Sequence, residues 1–128
     1  MIYNKAIRDK IPEIIKNSGY DCNTKKLSDE EFLVELEKKL NEEVSEYLQS
    51  KSPEELADIL EVIYRISELK GVRKENLEDI RLKIESERGG FYENLFLINT
   101  SKQEKNWTIE VPSNHNEQKI KNWKENLG

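Results

Sequence analysis

Apolar residues recur at helical spacing over most of residues 11–88. The clearest stripe, Phe32/Leu33, Leu36, Leu40, Val44, Tyr47/Leu48, advances in steps of three and four and keeps one face apolar for about five turns. Just before it, Ser28-Asp29-Glu30-Glu31 has the form of a capping box: Ser28 can accept the Glu31 backbone N–H while Glu31 reaches back. A long helix is therefore expected to start here. Ser52-Pro53-Glu54-Glu55 repeats the signal, with Ser52 as cap and Pro53 at the first helical position. Only about Gln49 to Lys51 separates the two helices, so they should form an antiparallel hairpin. Gly71 ends the second helix, and a third over Lys74–Arg88 carries Leu77, Ile80 and Ile84 before Gly89-Gly90 stops it. Upstream, Pro12 opens a short helix with Ile11, Ile14 and Ile15 on one face and Gly19 at its end. Tyr20 to Leu27 alternates only weakly and reads as a connector rather than a strand. The pattern predicts an all-α fold, a helical bundle around an antiparallel helix hairpin.

After Gly90 the pattern changes. Phe91 to Ile98 is an apolar and aromatic cluster too short for another long helix, and it is expected to dock on the bundle as extended chain. Residues 99–128 are rich in Asn, Lys and Glu, with a strand expected at Trp107–Val111 and a short amphipathic helix carrying Ile120, Trp123 and Leu127. The domain is thus expected to span 1–98. The extension, 99–128, should pack on it or on a partner subunit through Trp107 and Trp123.

Composition narrows the function classes. The chain has 128 residues, enough for one modest core, and its hydrophobic fraction of 35% is low against a charged fraction of 37%. Too few apolar residues remain to cover every helix of a monomer, which favours a homodimer or higher homo-oligomer. A net charge of -5 gives no positive field for nucleic acid or an anionic membrane. Cys22 is the sole cysteine, so neither an internal disulfide nor a thiolate-rich zinc site is available from one chain. With no apolar run of signal-peptide or membrane-span length, a cytoplasmic protein is expected.

The candidate chemistry lies in carboxylates beside the apolar stripes. At about 100° per residue, Glu43 falls next to the Leu36/Leu40/Val44/Tyr47 stripe, Glu46 further out on the same side, and Glu42 nearly opposite the core. In the second long helix, Glu55 projects between Val62 and Ile66, and Asp58 close to Val62 and Leu69. Both pairs, Glu43/Glu46 and Glu55/Asp58, have i, i+3 spacing, which stacks two acids on one face, and the hairpin can bring the pairs together. Four converging carboxylates repel one another unless a cation intervenes. All-oxygen ligands suit Mg²⁺ or Mn²⁺, and His115 alone cannot build a histidine site. The plainer alternative makes Glu55 only the acid of its capping box; it accounts for neither Asp58 nor Glu43.

Glu42-Glu43-Val44-Ser45-Glu46 followed by Glu55-Leu56-Ala57-Asp58 resembles the E-E-x-x-E…E-x-x-D signature of MazG-type nucleotide pyrophosphohydrolases. Tyr3-Asn4-Lys5-Ala6-Ile7-Arg8-Asp9-Lys10-Ile11-Pro12 and Glu87-Arg88-Gly89-Gly90-Phe91 resemble its small phosphoribosyl-ATP pyrophosphohydrolase-like branch, so the likeness covers roughly residues 1–98. It implies the all-α NTP pyrophosphatase-like fold and Mg²⁺ held by Glu43, Glu46, Glu55 and Asp58, with Glu42 a lesser member. One departure is the spacing: eight residues separate Glu46 from Glu55, a shorter loop than in many such proteins.

The activity implied by the resemblance is hydrolysis between the α- and β-phosphates of a nucleoside triphosphate, releasing the monophosphate and pyrophosphate. Hydrolysis of phosphoribosyl-ATP in histidine synthesis is one alternative; a non-catalytic nucleotide-binding or helical interaction module is another. Glu46 is the candidate to orient or deprotonate the attacking water. Positive charge beside the metal would come from Lys5, Arg8, Lys10 and Arg88, each of which could instead be an ordinary solvated cation. Gly89-Gly90 reads as a helix stop rather than a phosphate cradle, and Tyr3 and Phe91 as packing residues rather than base platforms.

Overall fold

The computed structural model describes residues 1–104, and all regular structure within them is helical: α1 (Ile11–Asn17), α2 (Asp29–Ser50), α3 (Pro53–Leu69) and α4 (Lys74–Arg88). The strand and helix expected beyond Lys105, with Trp107 and Trp123, lie outside the described residues. One compact unit spans Met1–Gly90, and a second begins at Phe91.

α2 starts where the capping box places it. Ser28 has extended backbone angles and its hydroxyl oxygen accepts the Glu31 N–H at 3.2 Å, satisfying one free donor of the first turn. The Glu31 carboxylate turns to the Ser28 hydroxyl at 2.9 Å rather than to its backbone N–H. At the other end Lys51 takes a left-handed conformation (φ 58°) and its N–H closes on the Tyr47 carbonyl, terminating the helix. Ser52 follows directly and α3 begins at Pro53, so the connection is two residues long and α2 packs antiparallel along α3. Ser52 occupies the N-cap position of α3, but its hydroxyl donates to the Glu54 carboxylate and caps no backbone N–H.

After α3, Gly71 at φ 84° reverses the chain, which only a residue without a Cβ does at little cost. The buried Ser67 hydroxyl donates to the Val72 carbonyl at 2.7 Å and the Val72 N–H returns to the Ser67 carbonyl at 2.9 Å, tying the turn that lays α4 against α3. Tyr20 to Leu27 is irregular, as the sequence predicts.

The core is small. Ala6, Leu36 and Val62 are its buried residues, with Phe32, Leu40, Ile66 and Leu69 packed around them. The stripe of α2 therefore differs from the sequence reading in its C-terminal half. There Val44 and Leu48 are exposed, and Glu43 is the residue buried in register with Leu36. The steps 36, 40, 43, 47 remain helical; the chain has placed a carboxylate where the period asks for an apolar residue. Tyr3 is exposed rather than packed. In the second unit, Phe91 to Ile98 has no helix or strand.

Candidate metal centre

The acids converge where α2 and α3 face each other near the hairpin turn. Ligand oxygens of Glu43, Glu55 and Asp58 lie within 4.8 Å of one another, as do those of Glu42, Glu43 and Glu46. Glu43 belongs to both groups. The two-residue turn brings Glu43 of α2 to Glu55 and Asp58 of α3, whereas Glu46 is exposed and groups only with Glu42 and Glu43 on its own helix.

Glu43 is the centre electrically as well as spatially. Its relative exposure is 6%, its Oε1 lies 3.4 Å from the Lys39 ammonium, and its Oε2 is buried with no hydrogen-bond partner among the described residues. Burial, then repulsion from Glu46 and Asp58, push its pKa above the ordinary 4.5, and Lys39 only partly opposes them. The Glu55 carboxyl is likewise pushed up, by desolvation first and then by Glu46, Asp58 and Glu43.

Two cations from the N-terminal segment neutralise the cluster from one side. The Lys5 ammonium donates to Glu42 Oε1 at 2.9 Å, and the Arg8 guanidinium to Asp58 Oδ1 at 2.6 Å. The hydrogen bond from Lys5 holds Glu42 below the ordinary carboxylate range, while Glu42, with help from Glu46 and Glu43, raises Lys5. Glu42 thus joins the cluster, although the helical wheel alone put it nearly opposite the core. The N-terminal segment packs on that side of α2 and supplies a counter-ion there, a contact that no periodicity within α2 contains.

Lys10 lies at the N-cap of α1 and Arg88 in the last turn of α4; both are exposed, and among the described residues neither forms an ion pair with a carboxylate. Lys39, missed in the sequence reading, is the nearest cation to Glu43. Its i, i+4 spacing to that acid was the available signal. Ala6 was also missed. It is a single small residue outside any stripe, so periodicity carries no trace of its burial.

The donor set fits a hard divalent cation. Its ligand atoms are all oxygen, the donor type that Mg²⁺ and Mn²⁺ take. The orphaned Glu43 Oε2 is the kind of buried acceptor that a cation completes. No family description, curated protein or solved structure matches the chain.

Proposed function

We propose that the protein is a cytoplasmic, Mg²⁺-dependent nucleotide pyrophosphohydrolase, adding water across the α–β phosphoric anhydride of a nucleoside triphosphate to give a monophosphate and pyrophosphate. The observation that carries this reading is the buried, partnerless Oε2 of Glu43 among carboxylates on two facing helices. A chain does not retain such a costly group for stability, because an apolar residue of similar size in that stripe would pack at no electrostatic cost. Glu43, Glu46, Glu55 and Asp58 would hold Mg²⁺ or Mn²⁺, which would supply Lewis-acid stabilisation of phosphate charge and a more acidic water. Glu46, exposed in the cluster, would take a proton from the attacking water. Lys5 and Arg8, paired with Glu42 and Asp58, would donate to phosphate oxygens. Lys10 and Arg88 would serve only if substrate binding drew them in.

Exposed apolar residues on both hairpin helices support the companion proposal of a homo-oligomer. Leu56 and Leu60 on α3 and Val44 and Leu48 on α2 lie near the turn, and a second copy covering them would supply the core that the single chain lacks.

Pyrophosphate release from a panel of triphosphates and phosphoribosyl-ATP with Mg²⁺ tests the reading and selects among substrates. Glu46→Gln and Asp58→Asn are expected to lower kcat by about 10²-fold or more. Wild-type rates in both would remove the site. Nucleotide binding without turnover of any substrate would leave a non-catalytic binding module.

A further inference from the structure

The N-terminal segment is joined to the acid cluster by three contacts within four residues. Ala6 is buried against Leu36 and Val62, one from each hairpin helix, so the segment is seated in the core at that point. Lys5 and Arg8 flank it, and each reaches a different acid group: Lys5 pairs with Glu42, which belongs with Glu43 and Glu46, and Arg8 pairs with Asp58, which belongs with Glu43 and Glu55. Together with Lys39 on Glu43, these cations offset part of the repulsion among the acids. The two pairs are not rigid. Their side chains are between about a third and a half exposed, which places them among ion pairs that form and break readily.

We propose that residues 5–8 act as an internal counter-ion for the metal site, in which Arg8 holds Asp58 in the metal-free protein and gives it up when a divalent cation binds. This rests on the metal reading above and extends it to a residue that is not a ligand. The guanidinium held at 2.6 Å by Asp58 Oδ1 and a divalent cation on the same carboxyl group would repel each other and share one negative charge, so the two cations compete for it. Ala6 keeps the segment in place during the exchange. The freed guanidinium therefore stays beside the metal position, where it can take up the phosphate contact described above. Arg8 is then a positioning residue whose two roles alternate.

The competition is read from metal affinity, independently of turnover. Mn²⁺ binding, followed by the loss of free-ion paramagnetic resonance, is expected to be about two- to fivefold tighter in Arg8→Gln than in wild type, the range set by the strength of an exposed ion pair. A purely structural Arg8 would act in the opposite sense, since its loss would loosen the site. Unchanged or weaker Mn²⁺ binding by the variant overturns the proposal. A second measurement needs no variant. Titrating Mg²⁺ into isotope-labelled wild type should move the Arg8 guanidinium resonances toward those of a free, solvated arginine as its Nη2 leaves Asp58 Oδ1. An unchanged Arg8 resonance at saturating Mg²⁺ overturns the exchange while leaving the metal site standing. Absence of Mn²⁺ binding by wild type overturns the metal reading and the exchange together.

Discussion

Lys39 reaches one oxygen of Glu43 and not the other: the ammonium lies 3.4 Å from Oε1, while Oε2 is buried without a partner. An i, i+4 pair on one helix can neutralise part of a buried charge, but the second oxygen has no donor among the described residues, and Glu43 is grouped with the acids Glu55 and Asp58 of α3. In the metal-free protein this carboxylate is a destabilising feature. Removing its charge while keeping its shape is therefore expected to stabilise the fold and abolish metal binding. Glu43→Gln should raise the melting temperature in EDTA by roughly 4–8 °C, corresponding to about 1 kcal/mol. It should also remove the thermal shift that Mg²⁺ produces in wild type. Calorimetry with and without Mg²⁺ checks both parts.

The dependence of metal-free stability on pH follows from the same group. Glu43 and Glu55 have pKa values above the ordinary 4.5, so between 4.5 and their raised values the folded state binds more protons than the unfolded state. Stability must then fall as pH rises through that window. Glu42 is shifted the other way, and the stability it contributes is present above 4.5 and declines as pH drops below it. Glu43 and Glu55 should therefore make the melting temperature in EDTA decline as pH rises from 4.5 toward neutrality, and saturating Mg²⁺ should flatten or reverse that slope. A melting temperature in EDTA that rises steadily from pH 5 to 7 would contradict this assignment.

The two serine caps differ in strength despite their matching sequence signals. Ser28 accepts the Glu31 N–H, whereas the Ser52 hydroxyl is engaged by Glu54 and satisfies no backbone donor. Ser28→Ala is expected to cost about 1 kcal/mol, and Ser52→Ala less than about 0.5 kcal/mol. Urea unfolding of the two variants, compared at equal m-value, measures the difference.

Leu60 is 45% exposed and Leu48 58% exposed, on helices that already pack against each other through their opposite edges. If a second copy covers them, Leu60→Glu should shift the chain to a monomer in sedimentation equilibrium while α-helical circular dichroism is largely retained. An oligomer that survives both Leu60→Glu and Leu48→Glu would place the interface elsewhere.

Much of the helical framework was legible from local signals, because helix starts and stops depend on a few adjacent residues. Ser28 with Glu31, Pro53, Gly71 and Gly89 each act within one turn, and the described helices end where those residues place them. The i, i+3 acid pairs and the short turn between the long helices likewise depend only on spacing, so Glu43, Glu46, Glu55 and Asp58 could be selected before any packing was known. Spacing could not decide which residue of α2 enters the core. The helical period allows Glu43 or Val44 at the interface, and their choice depends on how α3 lies against α2.

The counter-ions show the same division. Lys5 and Arg8 lie 37 and 50 residues from their acids, and no periodicity carries information over such a distance. Their partners are set by Ala6, whose small side chain allows the N-terminal segment to sit against Leu36 and Val62. The sequence by itself determined where the helices run and which acids share a face, since both are properties of a single helix. Tertiary structure alone decided that Glu43 is buried with one oxygen unpartnered, and that the N-terminal segment neutralises the cluster, since both require surfaces from different parts of the chain to meet.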